Sequence, residues 1–490
     1  MKHTLLALLS ALPLCAQSQP AFSWLTFHPG TRSEIIQAVR PAVDGTVWVA
    51  GTTRSDLILA PPNEPFRAIH AGGSDLFIAR YRPLPGGGST LLFWTLYGGT
   101  GDETFGDFNV GANGFLYLAG STNSIDLPMA GTSQRIEIAG NTDAFVAVFD
   151  PNGVGVDSLV YASYFGGTGT ETVAAVPVRP DGSFALVGET DSTDLTLSDN
   201  IMQAANRGAR DLFIVQLNPF NNPESHYTSY LGGSLGDYAS GAVFDQAGYL
   251  WITGVTNSDN FPVTYDEGTQ TTINSMLDGF LVRLDLAQPA LDAITYITYL
   301  GGALGDFPTA IAAGAGQQVY LTGYTFSANF PTTANASQRV LRGEIDGFLV
   351  VVDGAQSPAQ RIRYSSYFGG AGADIPQSVT ALPDGRAALS GYIANAGLPV
   401  TGGAPQPSPA SLGQEGFLAV INPARATEGL DLITYFGGAY RDNVNAIGAA
   451  LDGQLYFGGS TDSPELVGTD GTSRLQSPRE AAAFLGRLSL

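Results

Sequence analysis

A unit of about 68 residues recurs seven times along the 490-residue chain, and this recurrence constrains the fold more than any other feature. Three markers define it. The first is an aromatic-Gly-Gly motif whose second glycine falls at Gly99, Gly167, Gly233, Gly302, Gly370 and Gly438, with a degenerate FHPG copy ending at Gly30. The successive spacings are 69, 68, 66, 69, 68 and 68. The second is a glycine ending a short apolar strand, at Gly51, Gly120, Gly188, Gly254, Gly323, Gly391 and Gly459, with the same six spacings. The third is a phenylalanine opening another strand, at Phe77, Phe145, Phe213, Phe280, Phe348, Phe417 and Phe484.

Each unit carries four strand signals. In the third they are 173–178, 183–188, 211–217 and 226–231. Asp181-Gly182 between the first two predicts a two-residue hairpin turn, and most other copies hold Asp-Gly, Asn-Gly or Ala-Gly there. Four antiparallel strands per unit, repeated radially, predict an all-β, seven-bladed β-propeller occupying residues 19–490 as one domain. With strands lettered A to D outward from the axis, the chain opens on a lone D-type strand at 22–27 and ends on a C-type strand at 482–488. The N-terminal strand is therefore expected to join the last blade and close the ring.

Residues 1–18 have a basic start, an apolar run from Leu5 to Leu14, and Ala16 and Ser18 at the −3 and −1 positions of a cleavage site. They read as a secretory signal peptide, with a secreted, periplasmic or cell-surface destination. Cys15, the single cysteine, lies within it, so the mature chain has no disulfide. The formal net charge is −22, and Lys2 is the only lysine. A mature chain without lysine excludes Schiff-base chemistry, and its acidity argues against nucleic acid as a partner.

The unit resembles the SBBP repeat, named for the seven-bladed β-propeller, of bacterial secreted and surface proteins. YSSYFGGAGAD (364–374), AVFDQAGYLWITGVTNSDNFP (242–262) and VYLTGYTFSANFPTT (319–333) carry the resemblance, which covers essentially all of 22–490. It implies a propeller outside the cytoplasm and no shared catalytic residues. Many such proteins add Ig-like or anchoring domains, whereas this chain is expected to be a bare, monomeric propeller.

Long B–C connections and the Gly-Gly D–A connections should lie on one face, the top, which makes that face the better candidate for binding. An acid stands four residues past the second glycine in every unit: Glu34, Glu103, Glu171, Asp237, Asp306, Asp374 and Asp442. Two readings apply. In the first, which a sevenfold recurrence favours, each acid accepts hydrogen bonds from its own Gly-rich loop or from a neighbouring blade's Thr. Otherwise the seven ring the channel mouth and attract cations, Ca²⁺ being the metal suited to such oxygens. A second set, Asp75, Asp143, Asp211, Asp278, Asp346 and Glu415, reads as strand-start caps. No other cofactor is implied.

Catalysis requires asymmetry, and the only candidate cluster outside the repeat is His28, Arg32 and His70 near the ring closure. The reading is a non-catalytic binding or scaffold module, taking a glycan or an extracellular protein on its top face and assigning no catalytic residue. The alternative is a polysaccharide-active hydrolase or lyase, because propellers host such sites and fold alone does not choose.

Overall fold

The computed structural model describes residues 19–28, 30, 32–56, 64–84, 88–221, 226–263, 270–395, 397–411, 413–425, 429–466 and 481–490. The signal-peptide reading of 1–18 lies outside them. The strands form seven four-stranded antiparallel sheets, arranged as the blades of a propeller. Helical structure among the described residues is confined to three short 3-10 turns, and no helix is long and apolar enough to cross a membrane.

Six blades are each built from consecutive strands. Blade 2, for example, comprises Glu103–Val110, Leu116–Thr122, Asp143–Phe149 and Leu159–Phe165, from A to D. Blade 7 is composite. Asp442–Ala449, Leu455–Thr461 and Ala482–Ser489 supply A to C, and Ala21–Phe27 pairs antiparallel beside Ala482–Ser489 as D. Closure by the N-terminal strand thus occurs as the sequence predicts.

The markers keep step because they touch. The strand-B glycine lies directly opposite the strand-C phenylalanine in every blade, as Gly120 opposite Phe145 and Gly188 opposite Phe213. A β-carbon on Gly188 would stand 2.0 Å from the carbonyl oxygen of Thr172 on strand A. Glycine alone permits that approach. All seven phenylalanines are buried. From blade 2 to blade 5 the strand-D tyrosine facing the phenylalanine donates its hydroxyl to a backbone carbonyl at the start of the B–C loop, as Tyr164 does to Ser124 (2.8 Å).

The A–B turn differs from the expected two-residue type. The amide of Ala42 donates to the carbonyl of Thr46, and that of Gly45 to the carbonyl of Ala42. This is a three-residue loop whose last residue, Gly45, has φ +78°. Left-handed backbone there makes Gly the economical choice. The extra residue matches a strand A that is itself bulged in all seven blades. The bulged residues, including Gln37, Ser240, Thr309 and Gln377, line a central channel of about 850 Å³.

Candidate functional site

The seven repeated acids do not border the channel. All are buried at the blade junctions, held by hydrogen-bond donors of the polypeptide. Glu103 accepts from the amide of Gly99 (3.0 Å) and the hydroxyls of Thr122 (2.6 Å) and Ser124 (2.6 Å). Glu171 accepts from Gly167, Thr190 and Ser192, and Asp306 from Gly302, Thr325 and Ser327. Asp237 and Asp442 repeat the pattern, and Glu34 accepts from Ser55. The same serine oxygen accepts an amide of the D–A loop, as Ser124 does from Gly101 (2.8 Å). Glu103, Glu171, Asp237, Asp306 and Asp442 therefore each tie the strand-D end of one blade to strands A and B of the next, and Asp374 keeps only the amide of Gly370. Among the described residues, no group of three or more His, Cys, Asp or Glu is gathered closely enough to hold a metal ion.

The second set of acids closes the loop before strand C. Asp143 accepts the amides of Ala139 and Gly140, and Asp346 those of Arg342 and Gly343. The two sets meet beneath the first glycine of the Gly-Gly pair. A β-carbon on Gly98 would lie 2.4 Å from Glu103 and 2.5 Å from Asp75, so no larger residue fits over the pair. Burial, reinforced by this like charge, pushes Asp237, Asp306 and Asp442 up to about 6 and Asp374 to about 7.

Asp374 rises furthest because Ile393 and Asn395 replace the Thr and Ser that solvate the acid elsewhere. Asp374→Asn is expected to raise the melting temperature by about 1–2 °C at pH 8, with no gain at pH 5, where the aspartate is already protonated. Thermal melts at the two pH values check this. A loss of stability at pH 8 would mean that the charged form is needed.

The His28, Arg32 and His70 cluster is only partly assembled. His28 is 3% exposed, stacked on Phe77 with ring centroids 4.4 Å apart, and its Nδ1 lies 2.6 Å from the Tyr81 hydroxyl. Burial lowers it to about 3, so its ring is neutral and packed in the core. Arg32 and His70 do stand by one corner: the Arg32 amide donates to Ser55, and the His70 amide to Asp56.

What differs between blades lies beside the repeated acid. In each blade the residue after it on strand A pairs with the residue before the terminal Thr of strand B. In blade 6 Ile393 takes the threonine's place, and the paired residues themselves change type from blade to blade. They are Ile35 with Thr52, Thr104 with Ser121, Thr172 with Glu189 and Asn443 with Ser460. In blades 4 to 6 they are Tyr238 with Val255, Phe307 with Tyr324 and Ile375 with Tyr392. This inner top level is polar on one side and aromatic on the other. Glu189, 9% exposed, accepts the amide of Ala239 in the next blade, lies 3.9 Å from Arg210, and keeps one carboxylate oxygen without a hydrogen-bond partner. Burial pushes it up to about 7.

Phe326 joins the aromatic side. At its place between Thr and Ser, blades 2 to 4 carry Asn123, Asp191 and Asn257, each accepting an amide of the D–A loop. Blade 5 gives up that tie. Phe326 is 36% exposed and sits edge-on to Phe307 (6.0 Å) and Tyr324 (6.2 Å), which stack on each other at 4.9 Å. Repeat periodicity does not mark these residues, and the signal was the variation at positions adjoining a constant acid.

No protein-family model matches the chain, and no curated protein matches it. Solved structures similar to it include the WD40 β-propeller domain of Doa1, at 8% identity over 96% of this chain and 97% of that one, TM-score 0.44. The K499G mutant of NanB sialidase from Streptococcus pneumoniae is 9% identical over 95% and 70%, TM-score 0.34. The gluconolactonase XC5397 from Xanthomonas campestris is 9% identical over 79% and 98%, TM-score 0.29. Likeness at this level concerns fold alone.

Proposed function

We propose that this chain is an extracytoplasmic β-propeller of the SBBP-repeat kind, exported by residues 1–18 and acting as a non-catalytic binding or scaffold module through its top face. One observation carries the reading. The polar residues that recur from blade to blade turn inward and are used up in joining blades, whereas the residues that vary from blade to blade stand at the inner top level. Varying such positions leaves the ring intact, because each blade depends mainly on itself and its neighbours. A binding surface suits that division.

The test is incubation of the purified mature chain with polysaccharide and peptide substrates, reading both product release and retention of the intact polymer. Retention without products is expected. Turnover that Glu189→Gln abolishes would overturn the reading in favour of a polysaccharide-active enzyme.

A further inference from the structure

We infer that the aromatic side of this top level, formed by Tyr238, Phe307, Tyr324, Phe326 and Tyr392 across blades 4 to 6, is a binding site for a neutral glycan chain. The inference rests on the binding-module reading and names its ligand class. Tyr238 is 40% exposed and Phe326 36%, and Phe307, Tyr324 and Tyr392 are partly exposed. Three of them form one contiguous set, and Tyr238 and Tyr392 stand at the equivalent level of the two flanking blades. Phe307, Tyr324 and Phe326 touch as described, and Tyr392 is near enough to Tyr324 to act electrostatically on its phenol.

The geometry is that of a cradle rather than a core. Phe307 and Tyr324 lie nearly parallel, at 13°, while Phe326 stands at 72° to Phe307. Flat ring faces meeting an upright ring suit the flat C–H face of a pyranose. The replacement of a loop-tying Asn or Asp by Phe326 gives up a side-chain hydrogen bond to the D–A loop for edge-on ring contacts that still leave Phe326 36% exposed.

Charge selects among polymers. The chain carries −22 formally, which repels acidic polysaccharides and nucleic acids. The paired positions of blades 4 to 6 hold no Asp, Glu, Lys, Arg or His, so they offer no counter-charge to a basic partner either. A neutral ligand remains. Beside Tyr238, the buried Glu189 of blade 3 accepts the amide of Ala239, so it braces strand A of blade 4. Tyr238, Tyr324 and Tyr392 add phenol hydroxyls to the ring faces, which suits a ligand that carries hydroxyls around an apolar face.

The experiment measures binding of the full mature chain to cellohexaose, xylohexaose and mannohexaose by calorimetry, with polygalacturonate as the acidic comparison. At least one neutral oligosaccharide is expected to bind and polygalacturonate not to. Tyr324→Ala and Phe326→Asn are each expected to weaken binding about tenfold or more. Phe326→Asn restores the residue that blades 2 and 4 use, so it should fold with an unchanged melting temperature and isolates recognition from stability. Failure of all three neutral hexasaccharides to bind would overturn the site. So would binding indifferent to both variants, preference for polygalacturonate, or burial of the patch by self-association in sedimentation. Release of reducing ends would instead sink the non-catalytic reading and leave the site standing.

Discussion

Removal of residues 19–28 is expected to leave a chain that aggregates on expression, or that melts at least about 10 °C lower if it stays soluble. The strand Ala21–Phe27 pairs with Ala482–Ser489 from Ala21 opposite Ser489 to Phe27 opposite Phe484. It buries Trp24 and Leu25, and the His28 amide continues the contact to the carbonyl of Ala483. Losing a large buried aromatic and a buried leucine costs roughly 3–5 and 2–5 kcal/mol, before any backbone bonds are counted. A domain's whole margin is about 5–15 kcal/mol. Truncation also turns Ala482–Ser489, with Phe484, Leu485 and Leu488 buried, into an unprotected edge. A synthetic peptide of residues 19–30 added during refolding should restore part of the lost solubility. A truncated chain with the parent's melting temperature and solubility would show that blade 7 holds the ring without its fourth strand.

The architecture was legible because its causes are local or strictly periodic. Gly188 and Phe213 face each other across adjacent strands, so both had to recur at the same period. The acids were visible for the same reason, but their surroundings were not. Glu103 takes its hydroxyl donors from Thr122 and Ser124, 19 and 21 residues onward, and strand pairing alone brings these together. A sequence pattern shows that the carboxylate is needed and not which way it points. His28 misleads for a related reason. It follows the closing strand and reads as a loop residue, yet the strand carries it into blade 1 beside Phe77, Tyr81 and Trp94. The aromatic cradle was hidden because Tyr238, Phe307, Tyr324 and Tyr392 belong to no repeat, and only cross-strand register shows that they share one level.

Thermal stability is expected to rise as pH falls from 8 to about 5, by on the order of 5 °C, and then to fall again in stronger acid. The buried acids set the first direction. Asp237, Asp306 and Asp442 are pushed up to about 6, and Asp374 and Glu189 to about 7, in each case chiefly by burial. Unfolded, these groups hold their protons only below about 4. Between those limits the folded chain binds more protons than the unfolded one, so stability decreases as pH rises through 6–7 and is greatest once the acids are protonated. Glu103 and Glu171 are shifted the same way. His28 acts oppositely. Held near 3 when folded and near 6.5 when free, it favours unfolding progressively as pH drops below 6.5. Asp44 and Asp181, held below their ordinary range by hydrogen bonds from Thr46 and Ser183, add to that loss in strong acid. One histidine against five strongly raised carboxylates leaves the acids dominant above pH 5. Calorimetric melts across pH 3–9 measure the curve, and the quadruple change of Asp237, Asp306, Asp374 and Asp442 to Asn should flatten its neutral limb. A melting temperature that climbs from pH 5 to pH 8 would mean that the junction carboxylates are stabilised as anions, and would reopen the case for bound cations between the blades.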